Sequence, residues 1–246
     1  MNTNIKNSRS ANGMPPAPRP RAVALHAACV LLTLMSCTVC IPAPGLPLPG
    51  SGNPPAGSAL PEDVYLLPFA PGAGYLVGQG SFGVAGVGSH ANQYAIDFVL
   101  PMRTPIVAAR AGKVIGMRQS CPDVNCPFTP DTCCGNYVRI QHADGSIAAY
   151  WHLPQNGACV KVGDVVERGD IIAVSGNTGI SLAPHLHFAV TAPKGQVGTG
   201  RFGPSADGTM EVPFADVPGD GVPTFLSIYG SQNAVLTDHC AADTAQ

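Results

Sequence analysis

His185-Leu186-His187 sets two imidazoles two residues apart. On a strand such residues leave the same face. Two neutral imidazoles on one rigid ribbon can hold a metal ion or move a proton. Leu186 and Phe188 would then face a core. A carboxylate that could join them is Asp97, inside the apolar run Ala95-Ile96-Asp97-Phe98-Val99. An ionised carboxylate among such neighbours is expensive unless it has a partner. A metal, an arginine or capped backbone N–H groups each qualify. His90 lies seven residues earlier, across a short loop, and could fold back beside Asp97. His152 ends the apolar stretch Ile147-Ala-Ala-Tyr-Trp-His and shares a face with Tyr150, which makes Tyr150 a candidate cleft residue.

These residues need short, rigid elements. Of 246 residues, 29 are Gly and 25 Pro, while only 11% are charged. That balance disfavours long helices and favours short strands joined by turns. Asn136-Tyr-Val-Arg-Ile-Gln-His142 alternates as a strand, and Asp144-Gly145 marks a hairpin turn back into Ile147–Leu153. Gly163-Asp164 and Gly169-Asp170 punctuate the short apolar runs of Val160–Val174. Ser175-Gly-Asn-Thr-Gly-Ile-Ser-Leu-Ala-Pro184 is a Gly-rich turn that leads into the His-x-His strand. Residues 212–236 supply last edge strands and loops. His142, before its turn, is expected to bond locally, His239 to be exposed, and Arg110 and Arg139 to be structural. The formal net charge of -2 gives no electrostatic pull toward nucleic acid.

The N-terminus reads as an export signal. A basic, Pro-rich stretch ends at Arg19 and Arg21, and an apolar run, Ala22–Met35, follows. The run has the length of a signal h-region and is short for a bilayer span. Met14 is an alternative start. Leu34-Met35-Ser36-Cys37 resembles the bacterial lipobox, whose Cys takes lipid, and Thr38 after it leans toward the outer membrane if the organism has one. A simple cleaved secretory signal is the competing form. The chain thus divides into a lipoprotein-type signal at 1–36, a Pro/Gly-rich tether at 37–64 and a folded domain at 65–246. The expected core is about 75–191, with edge strands and a tail at 192–246.

Six further cysteines, Cys121, Cys126, Cys133, Cys134, Cys159 and Cys240, imply three disulfides in an exported domain, with the pairing open. Adjacent Cys133 and Cys134 are poor partners for each other. A second metal site competes weakly, because zinc-ribbon Cys-x-x-Cys pairs are absent. Residues Gln119–Gly135 read as an insertion held by its own cross-links, with Asp123, Asn125 and Asp131 as turn residues. Cys240 would pin the tail.

Several ordered motifs resemble the lysostaphin-type (LytM-like) zinc endopeptidases of peptidoglycan. They are Ser-His90…Tyr-Ala-Ile-Asp97-Phe, Thr-Pro-Ile-Val-Ala-Ala-Arg-Ala-Gly-Lys-Val, Gly-Asn-Tyr-Val-Arg-Ile-Gln-His, Tyr-Trp-His152-Leu and Pro-His185-Leu-His187-Phe. The resemblance implies an all-β, antiparallel barrel-sandwich-like domain with one zinc held by His90, Asp97 and His187. It assigns His152 and His185 to the water and the substrate, and makes peptidoglycan peptides the substrate. Two imidazoles and a carboxylate leave a fourth zinc position open, as catalytic zinc needs. Familiar members space the first ligand as His-x-x-x-Asp, whereas here Gln93 holds that place and His90 is the nearest histidine. If His90 missed the metal, the domain would be a non-catalytic, wall-binding or amidase-activating relative. The Gly-Asp turns also resemble carrier-domain hairpins, but no Met-Lys turn accompanies them. The expected protein is a monomer in the cell envelope, lipid-anchored through Cys37.

Overall fold

The computed structural model describes residues 60–80, 94–126, 133–196 and 208–242. His90, Cys37, Asp131 and the expected signal lie outside them. The strands are β1 (Gly74–Gln79), β2 (Ile96–Val99), β3 (Pro105–Val107), β4 (Gly112–Arg118), β5 (Asn136–Gln141), β6 (Ile147–Leu153), β7 (Val165–Val166), β8 (Ile171–Val174), β9 (Leu186–Thr191), β10 (Thr209–Met210) and β11 (Ile228–Gly230). One helical turn, α1 (His239–Ala242), ends the described chain. Nine strands form one sheet in the order β11-β1-β2-β9-β6-β5-β4-β7, with β10 pairing β9 beyond β2. β3 and β8 form a separate ladder. The pairings are antiparallel, as the short alternating runs predict.

Turn chemistry closes the hairpins where the sequence places it. At the β5–β6 turn, Gly145 takes a φ of 84°, and the Asp144 carboxylate accepts hydrogen bonds from the Ser146 N–H and hydroxyl. Gly163 and Gly169 take φ values of 104° and 95° at the two Gly-Asp turns.

Alternation sends Ile96 and Phe98 of β2, Leu186 and Phe188 of β9, and Val138 and Ile140 of β5 into one core. Phe69, Ile106, Ile172 and Phe214 close it from other segments. Its aromatic rings meet edge to face or tilted, including Phe69 on Phe98 at 5.4 Å and Phe188 on Phe214 at 5.6 Å. Each fully buried side chain of this kind stabilises the fold by about 1.5–3 kcal/mol relative to exposure. The core locks the strand register, because a one-residue slip would turn the whole apolar set outward.

All six cysteines pair. Cys121–Cys134 and Cys126–Cys133 nest inside the insertion, and Cys159–Cys240 ties the tail to the segment before β8. His239, expected to be exposed, instead reaches back to Asp170, with Nε2 3.3 Å from Oδ2. The neighbouring cross-link holds it there. The His142 backbone N–H bonds locally, to the Ser146 carbonyl at 2.9 Å, whereas its imidazole Nδ1–H donates to the distant Ala111 carbonyl at 2.8 Å. Arg110 is structural, pairing with Asp144 at 2.7 Å and lying over the Tyr65 ring. At the end of the expected tether, the Arg168 guanidinium donates to the carbonyls of Leu60, Pro61 and Val64.

Candidate active site

Strand register builds the centre of the site. Asp97 of β2 is the cross-strand partner of His187 on β9, and His187 is the partner of Trp151 on β6. The three therefore form one row across three strands on the same face of the sheet. Asp97 is only 8% exposed. His187 Nδ1 lies 3.1 Å from its Oδ1 and His185 Nε2 lies 3.6 Å from its Oδ2. His185 precedes β9 and bridges to Gly176, so the His-x-His spacing puts both imidazoles beside the carboxylate.

His152 arrives by a different route. Across β5 and β6, Asn136 pairs with Leu153 and Tyr137 with Trp151. His152 is thus the extra residue of a β-bulge, and its φ is 65°. Bulges re-aim a side chain. This one breaks the parity that alternation assigns. Tyr150, proposed for the cleft, faces the core and is fully buried, its hydroxyl oxygen accepting the Ala109 N–H at 2.9 Å. His152 joins the opposite face, its ring 4.5 Å from that of His185 and 5.8 Å from that of His187, centroid to centroid. The left-handed backbone costs a non-glycine residue about 1–2 kcal/mol. Gly176 makes room for the bulge, since a Cβ there would stand 2.7 Å from the His152 carbonyl oxygen.

Hydrogen bonds set the tautomers. His152 Nδ1–H donates to the Thr178 carbonyl at 2.6 Å, and His185 Nδ1–H donates to the Ala183 carbonyl at 2.8 Å. Each carbonyl can only accept, so in the neutral ring each Nε2 carries the lone pair. Burial, with the nearby His185 and His187 imidazoles, pushes His152 down to about 3 against the pull of the Thr178 carbonyl. These surroundings favour the neutral ring.

Sequence reasoning assigned no role to Trp151. It is half-buried in the row with Asp97 and His187 and packs on Tyr137 at 4.5 Å. The signal was present in the Tyr-Trp-His order: once Tyr150 is in the core, its neighbour must face the site. Thr178 and Asn136 were missed as well, because their contacts join segments distant in sequence.

Asp97 and His187 fit a metal by donor type and spacing. Two donors about 2.0–2.1 Å from one tetrahedral ion stand about 3.3 Å apart, close to the 3.1 Å between Nδ1 and Oδ1. Among the described residues no group of three or more His, Cys, Asp or Glu side chains is disposed to hold a metal. The third expected ligand, His90, lies outside those residues.

Residues 91–198 match the model of Peptidase family M23. The chain is 40% identical over 95 residues to an uncharacterized metalloprotease of Buchnera aphidicola subsp. Baizongia pistaciae, over 39% of this chain and 22% of that protein. It is 39% identical over 92 residues to peptidoglycan DD-endopeptidase ShyA of Vibrio cholerae, over 37% of this chain and 18% of that protein. It is 36% identical over 115 residues to lysostaphin of Staphylococcus simulans, over 47% of this chain and 20% of that protein. The chain thus spans about a fifth of the length of these relatives.

Proposed function

We propose, from the match of residues 91–198 to the model of Peptidase family M23, that the protein is a zinc-dependent endopeptidase cutting the peptide cross-links of bacterial peptidoglycan. The observation that carries the reading is the convergence of Asp97, His187, His185 and His152 on one face of the sheet. Asp97 and His187 would hold one zinc together with His90. Zinc, when bound, supplies a Lewis acid and lowers the pKa of water. The chain's own residues do the rest. His185 Nε2 lies 3.6 Å from Asp97 Oδ2, and the His152 ring stands 5.8 Å from that of His187, centroid to centroid. A water attacking a peptide carbonyl there can pass its proton to His152 or His185, and the protonated imidazole can return it to the leaving amine nitrogen. The other, when protonated, can donate to the developing oxyanion.

Export to the envelope belongs to the same reading. Three cross-links suit an oxidising compartment, and the apolar run before Cys37 supplies the signal. A lipid on Cys37 would hold a monomeric domain at the membrane, or at the outer membrane of a Gram-negative cell.

The deciding experiment measures zinc per chain and the release of wall peptides, for wild type and His90→Ala. About one zinc with wall cleavage in the wild type, and loss of both in the variant, is expected. A folded wild type that holds no zinc and cuts neither Gly-Gly bridges nor direct D-Ala–diaminopimelate links overturns the reading.

A further inference from the structure

Asn136 and Thr178 touch none of the reacting groups through their side chains, yet both are fully buried and polar. The Asn136 carboxamide grips the backbone of Cys121 in both directions, accepting its N–H and donating to its carbonyl, each at 3.0 Å. The Asn136 backbone N–H donates to the Thr178 hydroxyl oxygen at 3.0 Å. That hydroxyl donates to the Leu153 carbonyl at 2.6 Å. The Thr178 carbonyl in turn accepts from His152 Nδ1–H. The path runs without a break from the disulfide-bonded Cys121 to the imidazole.

A second set of bonds ties the same two regions. Cys126 N–H donates to the Gly179 carbonyl at 2.8 Å and Gly179 N–H to the Val124 carbonyl at 3.2 Å. The Asn125 amide donates to the Ser181 carbonyl at 3.2 Å. Gly179 has a φ of 85°, and a Cβ there would stand 2.9 Å from Gly135 Cα. The turn is therefore laced to the cross-linked insertion at Gly179 and Ser181, directly after Thr178.

We propose that Thr178 and Asn136 are positioning residues which hold His152 in its Nδ1-protonated tautomer, and that through them the disulfide-bonded insertion orients the catalytic imidazole. The inference rests on His152 acting as proposed above. The Thr178 hydroxyl binds the residue after His152 and the strand opposite it, so it holds its own carbonyl in line with the ring. A valine of the same shape would leave the Leu153 carbonyl and the Asn136 N–H buried without that partner, and the turn would shift. The ring would then lose the acceptor that fixes its tautomer, the defect that disables a histidine base elsewhere.

The test compares wild type, Thr178→Val and Thr178→Ser as zinc-loaded, histidine-15N-labelled protein. Nitrogen shifts should report His152 as the Nδ1–H tautomer in wild type and Thr178→Ser, and as a mixture in Thr178→Val. The valine variant should lose about 10- to 100-fold in kcat, with KM and zinc content unchanged, and the serine variant should recover it. A single Nδ1–H tautomer with normal kcat in Thr178→Val overturns the proposal, as does a loss that serine does not restore. If the wild type cuts no wall peptide, the functional reading falls, while the tautomer comparison still decides this one.

Discussion

Two pairs of side chains sit within a few ångströms of one another and are held by different means. Asp97 and His187 stand on paired strands, β2 and β9, inside the sheet. Their alignment follows from a register that the apolar core enforces on the opposite face. His152 and His185 stand at a bulge and at a turn, and their rings take direction from carbonyls in the segment 178–183. That segment is in turn laced to the cross-linked insertion. The comparison teaches a division of labour: the sheet fixes the groups that would bind a metal, and loops clamped by disulfides fix the groups that would move protons. A rigid ladder suits ligands that must converge on one point. A turn held by a few hydrogen bonds can set a tautomer, and can lose it.

The largest effect should come from breaking the strand-borne pair. Asp97→Ala and His187→Ala are each expected to abolish zinc retention and lower wall cleavage by at least about 1000-fold, with far-UV circular dichroism unchanged. Zinc should raise the melting temperature of the wild type by binding linkage and leave these variants unmoved. If either variant kept its zinc, the assignment of that side chain would be wrong. His152→Ala and His185→Ala should separate from them cleanly, keeping zinc while kcat falls about 100- to 10,000-fold.

The clamp comes next in size. Gly179→Ala forces a side chain into the left-handed region and against Gly135. Turnover should drop about tenfold, as when a group that orients an active imidazole is disturbed, with zinc content intact. Equal loss of zinc and turnover would show that the turn supports the whole site and would erase the distinction drawn above.

The smallest effect lies far from the site and concerns acid stability. Burial holds the His142 imidazole below its ordinary value despite the Ala111 carbonyl. The unfolded chain therefore takes up the proton first, and stability should decline as pH falls below about 6.5. Asp144 acts lower on the scale: against the effect of burial, Ser146 and Arg110 hold its carboxyl down to about 2. Its contribution is present above about 4 and fades as pH falls toward 2. Urea midpoints at pH 7 and pH 5 should fall more in the wild type than in His142→Gln, while cleavage at neutral pH stays the same in both. An equal fall in the two proteins would remove His142 from the account.

The amino-acid sequence alone determined the all-β architecture, the hairpin at Asp144-Gly145, the inward turn of Leu186 and Phe188, and the need of Asp97 for a partner. Each follows from short-range rules: alternation, turn residues, and the cost of burying a charge. It also implied three cross-links, with Cys240 holding the tail. Only the tertiary structure decided which cysteines pair, since pairing depends on which segments the fold brings within reach. Only there does His152 leave the face of Tyr150. One inserted residue changes the parity of a strand, and nothing in the residue types Tyr-Trp-His announces a bulge. Thr178 and Asn136 support the site through hydrogen bonds between segments distant in sequence, which local pattern cannot encode.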